Sequence, residues 1–336
     1  MMWDNENKDK DIVVSSRIRL ARNIKNLPFP LFLSDDSAEK IVHMVDDVVL
    51  ESTDLSPFTK IELKQLTSNE KRMLVEKHLT SPELGNHAYS TVFIRNDEKV
   101  SIMINEEDHI RIQCILEGFQ LENAYAIANK VDDLLEAKIS YCFDEKYGYL
   151  TSCPTNLGTG MRASVMLHLP SLTLSNQMNS FVQTLARFGI TIRGIYGEGT
   201  EALGDLYQIS NQTTLGVNEQ GIITNIHDVS KEIIKRERDL RYEILNNNRI
   251  YLEDKIYRAF GILSHARSIN LEESMKLLSL VRLGSDLNLV GNDIKIINNL
   301  IETIQPGILS DIYQNELRNK DIDRIRAEHI RKCFNQ

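Results

Sequence analysis

Apolar and polar residues alternate in several short segments of the first two thirds of the chain, which predicts β-strands. These segments are 12–20, 89–95, 100–105, 110–116, 190–193 and 206–210. Helical spacing of apolar residues predicts helices over 38–50, 121–137 and 175–188, and the sequence Thr67-Ser68-Asn69-Glu70 is typical of a capping box that begins a helix ending at Leu79. From about His227 onward the strand pattern stops and only helical spacing remains. We therefore predict an α+β domain over 10–244 and an all-helical domain over 245–336.

Composition narrows the class of protein further. The chain has 336 residues, of which 42% are hydrophobic and 26% charged, as expected of a soluble protein with a sizeable core. Its net charge of −9 argues against direct nucleic-acid binding, and no apolar stretch predicts a leader or a membrane span. The 4 cysteines show no CxxC spacing, so we expect reduced thiols, no protein-held metal and a cytoplasmic location.

The stretch from Tyr149 to Pro170 has two strand-like parts joined by a loop that contains a proline and two glycines. Such a loop lets the backbone approach another molecule closely. In the second part, Arg162 and Ser164 point to one face and apolar residues to the other, because side chains alternate along a strand. Taken alone, the pattern fits a β-hairpin in which Cys153 is a small core residue.

Five arginines lie on strand-like segments, each with apolar neighbours on the opposite face: Arg17, Arg19, Arg111, Arg162 and Arg193. Strands of one sheet can bring such residues to one face, where guanidinium groups bind a triphosphate through paired hydrogen bonds. The chain contains no GxxxxGK[ST] sequence, and its glycine-rich segment 194–204 is not a GxGxxG, so neither a P-loop nor a Rossmann site is predicted.

Carboxylates occur in two places close in the sequence to the arginine-bearing strands. Glu106, Glu107 and Asp108 follow a strand directly, although three acids in such a place are usually a solvated turn. Glu198 and Glu201 lie in the glycine-rich segment. Carboxylates in such places can orient a cationic group and accept a proton from it during a reaction.

Three segments together resemble the ATP:guanidino phosphotransferases, the family of the creatine and arginine kinases. They are CPTNLGTGMRASV from Cys153, SSRIRLARN from Ser15 and NEEDHIR from Asn105. The resemblance covers residues 10–240 closely. It implies an antiparallel sheet flanked by helices, and a reaction that uses ATP and Mg²⁺ with no dedicated protein cage for the metal.

The resemblance also implies roles for individual residues. Glu107 and Glu198 correspond to the two catalytic glutamates, with Glu201 an alternative to Glu198, and Cys153 corresponds to a thiolate that orients the substrate. His78, otherwise a histidine at a helix end, corresponds to a residue that packs on adenine. The nucleotide-binding positions are Ser16, Arg17, Ile18, Arg19, Leu20, His78, Arg111, Arg162, Ala163, Ser164, Val165, Met166, Arg193, Gly194, Ile195, Tyr196, Gly197 and Glu198.

The order of the segments is similar to that of the bacterial protein arginine kinases within this family. Metabolite kinases have a helical domain before the SSRIR-like segment, whereas here Ser15 lies near the start and helices follow the catalytic part. We therefore expect an open site that accepts arginine side chains of proteins. In this branch the C-terminal domain dimerises and carries an RDxxRA motif that binds phosphoarginine. The segment 322–327 matches it at Asp323 and Arg326 but has Ile322 at the first position, so a mixed-charge surface helix is the alternative.

The same branch implies two kinds of partner, a zinc-binding activator protein and a Clp-type unfoldase or protease that removes the marked proteins in the stress response. Two other functions stay open from the residues alone. The first alternative is a kinase for a small guanidino metabolite. The second is a non-catalytic adaptor that binds phosphoarginine. An adaptor has no need of paired carboxylates, which favours catalysis.

Overall fold

The computed structural model describes residues 9–50, 57–85, 89–194, 202–291, 293–313 and 319–334. The strands are β1 Val13–Arg22, β2 Phe58–Glu62, β3 Thr91–Arg95, β4 Val100–Ile104, β5 Ile110–Glu117, β6 Phe143–Asp144, β7 Gly148–Tyr149, β8 Met161–His168, β9 Ile190–Gly194 and β10 Leu206–Asn211. The helices are α1 Asp35–Val49, α2 Ser68–Glu76, α3 Leu121–Glu136, α4 Pro170–Leu174, α5 Met178–Ala186, α6 Glu219–Asn247, α7 Arg249–His265, α8 Leu271–Asp286, α9 Ile294–Thr303, α10 Pro306–Ile312 and α11 Asn319–Phe334.

Eight strands form one sheet in the order β2-β3-β4-β5-β1-β8-β10-β9, and β6 pairs with β7. The pairs β1–β5, β2–β3, β3–β4 and β4–β5 are antiparallel. In the register of β1 with β5, Arg19 lies opposite Gln113 and Ala21 lies opposite Arg111. Residues directly opposite each other point to the same side of a sheet, so β1 and β5 present their arginines on one face. The expected α+β class with an antiparallel sheet is confirmed.

The other face of these strands is apolar and is covered by α3. Ile18, Leu20 and Ile112 are fully buried there, and so are Ala124 and Ala128 of the helix. The helix has its apolar residues on one stripe, which is why it lies on the sheet and leaves its polar residues to solvent. Burial of that face fixes the register of β1, and a fixed register in turn fixes the positions of the arginines on the opposite face.

The chain divides into two compact units. The first holds the described residues up to Val165 together with 187–191 and 209–230, and the second holds 166–186, the described part of 192–208, and the described residues from Lys231 onward. The second unit is therefore assembled from separate pieces of the chain. The predicted boundary near residue 244 remains a prediction about independent folding.

The interior of the second unit contains a charged network. The carboxylate of Glu237 on α6 accepts hydrogen bonds from Ser171 N at 3.0 Å and from Leu172 N at 2.9 Å. Arg241, one turn further on, donates to Glu237 at 3.0 Å and to Asp286 at 3.2 Å. Burial raises the pKa of Glu237, and Arg241 and the two backbone donors oppose that shift. The network ties α4 and α8 to α6.

Most predicted elements are present, and the differences have local causes. The capping box at Thr67 and Glu70 is confirmed, but α2 ends at Glu76 because His78 has a φ of 59°. The predicted helix over 175–188 was wrong in its bounds. Asn176 has a φ of 54°, in the left-handed region, and separates α4 from α5. Strand β2 was not predicted.

None of the described helices is long and apolar enough to cross a membrane. Within the same residues, no group of three or more histidine, cysteine, aspartate or glutamate side chains is arranged to hold a metal ion.

Candidate active site

A cavity of about 150 Å³ opens on the arginine face of the sheet. Strands β1, β5 and β8 supply its cationic side chains, and the turn after β4 supplies a carboxylate. The loop between β7 and β8 closes another side. The lining residues are Arg19, Ala21, Glu107, Arg111, Cys153, Thr155, Asn156, Gly160 and Arg162. Three segments that the sequence pointed to separately therefore meet in one place.

The arginines of this face are close enough to affect one another. The pKa of Arg19 is well below its ordinary value because its guanidinium is enclosed and because three like charges surround it, those of Arg17, Arg111 and Arg162. Glu106 acts in the opposite direction and is the weakest of these influences. The Nε atom of Arg19 is buried and has no hydrogen-bond partner among the described residues. A cluster of cations that disfavours its own charge is a site prepared for an anion.

The turn between β4 and β5 places two glutamates in different environments. Glu106 is nearly buried, and it accepts a hydrogen bond from Arg111 at 2.7 Å and another from Ser81 Oγ at 2.6 Å. The side chain of Glu107 is 42% exposed and accepts from the other terminal nitrogen of Arg111 at 2.8 Å. Glu106 therefore fixes Arg111, whereas Glu107 faces the cavity and is already bound to a guanidinium.

A positive φ shapes the start of this turn. Asn105 has a φ of 58°, which asparagine tolerates better than most residues. Its side-chain amide donates to Ala38 O at 3.0 Å and to Tyr89 O at 3.2 Å. Asn105 thus anchors the turn that presents Glu107.

Cys153 lies in the loop between β7 and β8, directly before a 3₁₀ turn at 154–156. Its sulfur is 3.0 Å from Thr155 Oγ1, and its carbonyl accepts from Thr151 Oγ1 at 2.8 Å. Asn156 Nδ2 lies 3.5 Å from Glu107 Oε2, so the loop contacts the turn between β4 and β5. The β-hairpin interpretation, in which Cys153 is a core residue, is wrong, since the thiol lines the cavity.

The glycines of this loop allow close backbone approach. Gly158 has a φ of 110°, and a Cβ there would lie 2.4 Å from Thr214 O. Gly160 has a φ of 62°, and a Cβ there would lie 2.6 Å from Ala21 O. A larger residue at Gly158 would push the loop away from Thr214, and one at Gly160 would push it away from β1.

Arg22 supports the site from the apolar side of the sheet, and the sequence interpretation missed it. It donates to Asp132 on α3 at 2.7 Å, and to Thr159 O in the cavity loop at 3.0 Å. Its guanidinium carbon lies 3.6 Å from the centre of the Tyr149 ring. One signal was available, because Arg22 follows Ile18 and Leu20 on the face that must be buried, and a buried arginine needs an acid opposite.

Several predicted nucleotide-binding residues do not present side chains to the arginine face. The side chains of Ser16, Ile18, Leu20, Ala163 and Val165 are fully buried. Ser16 Oγ donates to Gly118 O and accepts from Gln120 N, both at 2.8 Å. Alternation along the strand explains the result, since every second residue of a binding strand must face the core. Ser164 lies beside Arg17, whose Nε is 3.5 Å from Ser164 Oγ.

His78 lies beside the arginine cluster, at the end of α2. Burial lowers its pKa to about 4, and the positive charge of Arg17 acts in the same direction. Its backbone carbonyl accepts from Gln113 Nε2 at 2.7 Å. Both effects favour the neutral form of the ring.

Other predicted residues belong to the second unit or lie outside the described residues. Arg193, which is exposed, and Gly194 end β9, and Met166 lies on β8. Ile195, Tyr196, Gly197, Glu198 and Glu201 lie outside the described residues. The functions of all these positions stay predictions.

The predicted phosphoarginine contact at Asp323 and Arg326 stays a prediction, and the structure shows where these two residues lie. Arg326 is 1% exposed. It donates to Ile304 O at 3.0 Å, to Ile269 O at 3.1 Å and to Asp323 at 2.5 Å. The guanidinium thus joins the end of α9 to the segment that precedes α8. The interpretation as a surface helix fails here, because Arg326 faces the interior.

The cavity fits the triphosphate of a nucleotide. Its arginines carry both the charge and the paired donors that phosphate oxygens need. The described carboxylates near it are engaged with Arg111, so a magnesium ion would be held by the phosphates and water rather than by a protein cage.

Comparison with known proteins gives two family matches. Residues 40–240 match the family model described as the ATP:guanido phosphotransferase C-terminal catalytic domain. Residues 249–336 match the model described as the protein-arginine kinase McsB C-terminal domain.

Individual relatives agree with these matches. A protein-arginine kinase of Caldanaerobacter subterraneus subsp. tengcongensis is 48% identical over 331 residues, covering 98% of each chain. One of Bacillus subtilis is 46% identical over 327 residues, which is 96% of this chain and 90% of that protein. Among solved structures, a lombricine kinase has a TM-score of 0.63 at 26% identity, covering 71% of this chain and 70% of that one.

Proposed function

The chain belongs to the ATP:guanido phosphotransferase family, and we propose that it transfers the γ-phosphoryl group of ATP to arginine side chains of other proteins. The observation that supports this best is the composition of the cavity. Glu107, Cys153 and three arginines line the same space, and the acid is already bound to a guanidinium.

The arginine face binds the nucleotide in this proposal. Arg17, Arg19, Arg111 and Arg162 hold the phosphates and stabilise negative charge that develops on the moving group, and His78 packs against the adenine. Arg193, Gly194 and residues 195–198 are proposed as nucleotide-binding positions from the family resemblance alone. When bound, ATP with Mg²⁺ supplies the phosphoryl group that is transferred.

Glu107 holds the substrate guanidinium. A nitrogen of that group forms a bond to the γ-phosphorus while the bond from phosphorus to the ADP oxygen breaks, and the nitrogen's proton passes to Glu107. Glu198 is proposed as the second carboxylate, with Glu201 the alternative. Cys153 orients the guanidinium through its sulfur, which lies in the cavity beside the cationic face.

Protein arginine is the proposed substrate class for two reasons. The relatives named protein-arginine kinase match over nearly their whole length, and the C-terminal part matches a domain of that branch. In addition, Glu107 is 42% exposed, so an arginine that is carried on a large chain can reach it. A protein substrate can also contact the surface around the cavity, and that binding contributes to positioning.

The test incubates the chain with ATP and Mg²⁺ and one of three acceptors: a partly unfolded protein, the same protein with every arginine replaced by lysine, and free arginine. Acid-labile phosphate and mass analysis identify the product. We expect transfer to the first acceptor only. Equal or better turnover of free arginine would restore the metabolite kinase, and nucleotide-independent binding of phosphoarginine without any transfer would restore the adaptor.

The wider setting is proposed from the branch alone. We infer that the chain works in the cytoplasm as a homodimer through its helical part, with a zinc-binding activator protein. Its products would mark proteins for a Clp-type protease in the stress response. Size measurement in solution and pull-down with each partner test these points separately.

A further inference from the structure

Asp108 is fully buried, although it follows the exposed acid Glu107 directly. One of its oxygens, Oδ1, accepts two hydrogen bonds from different parts of the chain. Ser152 N, which directly precedes Cys153, donates at 2.7 Å. Asn23 Nδ2, just after β1, also donates at 2.7 Å. A single carboxylate oxygen therefore joins the Glu107 turn to the Cys153 loop.

Asn23 makes the same connection from the other side. Asn23 Oδ1 accepts a hydrogen bond from His109 N at 2.9 Å, so Asn23 also binds the residue after Asp108. Its Nδ2 also donates to Leu150 O at 3.1 Å, on the segment that leads to Cys153. Asn23 is 1% exposed, so water does not compete for these hydrogen bonds.

His109 completes the connection. Its Nδ1 accepts from Ile24 N at 3.0 Å, so the ring proton is on Nε2, which donates to Pro28 O at 2.8 Å. The ring is fully buried. The turn that carries Glu107 is thus fastened to Asn23 at the end of β1, and to Ile24 and Pro28 in the segment that follows.

We infer that Asp108 is a positioning residue that holds the Cys153 loop at a fixed place relative to Glu107. Both groups must contact the same guanidinium, and they come from loops that are more than forty residues apart in the sequence. Misplacement by about 1 Å can reduce a rate by roughly 10²-fold. The inference rests on the proposed function, but it makes a claim about loop geometry that can be measured without the reaction.

The experiment compares Asp108→Ala, Asp108→Asn and Asp46→Ala. Alanine removes the acceptor, whereas asparagine keeps a carbonyl oxygen that can receive both hydrogen bonds. Asp46 is the matched control, because it pairs with Lys60 at 2.5 Å in the same unit and lies outside the cavity. We expect Asp108→Ala to lower kcat by about 10²-fold with the KM for ATP within about twofold, because the nucleotide arginines are unchanged.

We expect Asp108→Asn to recover most of kcat, and Asp46→Ala to leave it unchanged. A kcat of the alanine variant close to wild type would overturn the inference. An asparagine variant as slow as the alanine variant would also overturn it, since charge rather than the hydrogen-bond acceptor would then matter.

The second readout is the alkylation rate of Cys153, followed by mass spectrometry of its peptide. Loss of the hydrogen bonds to Asp108 should change this rate at least about threefold in Asp108→Ala, and the rate should not change in Asp46→Ala. If wild type shows no transfer to protein arginine, the proposed function fails. The alkylation rate still tests whether Asp108 positions the Cys153 loop. If Asp108→Ala does not fold, Asn23→Ala takes its place, with a smaller loss of kcat expected and an unchanged kcat and alkylation rate counting against the inference.

Discussion

The sheet face of the first unit and the interior of the second unit use arginine in opposite ways. On the sheet face of the first unit, the pKa of Arg19 is lowered in part by the like charges around it, those of Arg17, Arg111 and Arg162. In the second unit, Arg241 and Arg326 lie in the interior beside carboxylates and backbone carbonyls. The first arrangement raises the free energy of the protein by itself and is relieved by an anion. The second is complete without any ligand.

This difference shows how to separate binding arginines from structural ones. Burial alone does not, because the guanidinium of Arg19 is enclosed on the cavity wall while Arg22 and Arg326 are buried in the packed interior. The sign of the neighbouring charges does. A guanidinium beside other guanidiniums on a cavity wall predicts a ligand, and one beside a carboxylate in the interior predicts a packing role.

Glu107→Gln should have the largest effect, because it removes the acid from the cationic face and leaves that face without an acceptor for the substrate. We expect kcat to fall by roughly 10⁴-fold, with ATP binding close to normal. Steady-state kinetics and nucleotide titration measure both. Glu117→Gln, at a 78% exposed side chain on β5, is the control. Retention of most of the wild-type kcat would remove Glu107 from the mechanism.

Arg241→Met tests the structural role of an arginine in the interior of the second unit. It leaves Glu237 and Asp286 buried beside each other without their cation, and we expect a loss of about 3–5 kcal/mol in the free energy of unfolding. Arg249→Met, at a 65% exposed side chain paired with Glu253, should change it by less than about 0.5 kcal/mol. Denaturant unfolding compares the two. Equal stabilities would show that the buried network does not hold the second unit together.

Arg162→Lys keeps the charge of the cationic face but not its geometry. We expect kcat/KM to fall by about 10²-fold with no loss of thermal stability, because an ammonium cannot make the paired contact of a guanidinium. Arg72→Lys, at an exposed position in the same unit, is the control. Wild-type kinetics for Arg162→Lys would mean that this position contributes only general positive field.

The smallest effect concerns pH. The pKa of His78 is about 4 in the folded protein, below its ordinary value of 6.5. The unfolded chain therefore takes up a proton at His78 first as the pH falls, and the folded protein loses stability from about pH 6.5 down to about pH 4. His78→Gln should lessen that loss. Unfolding of both proteins at several pH values measures it, and identical pH profiles would contradict the low pKa.

The sequence predicted the arginine face well because strand alternation is a local property. Arg17 and Arg19 share a face with Arg111 through the register that burial of Ile18 and Leu20 dictates. Alternation also showed that Ile18 and Leu20 could not face a nucleotide, yet the family resemblance placed them in the site. For Ile18 and Leu20, strand alternation was a better guide to side-chain direction than the run of residues that the family resemblance assigned to the site.

Long-range partnerships could not be read in the same way. Arg22 and Asp132 are separated by 110 positions, and Asp108 and Ser152 by 44, so no periodic pattern connects them. The role of Arg326 depends on carbonyls of two other segments, which an RDxxRA-like spacing does not reveal. The break at Asn176 depends on one backbone angle rather than on apolar spacing.

The discontinuous second unit has a consequence for synthesis on the ribosome. Asp205 accepts a 2.5 Å hydrogen bond from Ser279, which is 74 positions later, and Ser279 also meets His168 at 2.8 Å. At roughly 5–20 residues per second, Asp205 waits about 4–15 seconds and His168 about 6–22 seconds before Ser279 is made. During that interval these groups lack the partner that they have in the folded protein, and a ribosome that stalls before α8 releases a chain without Ser279.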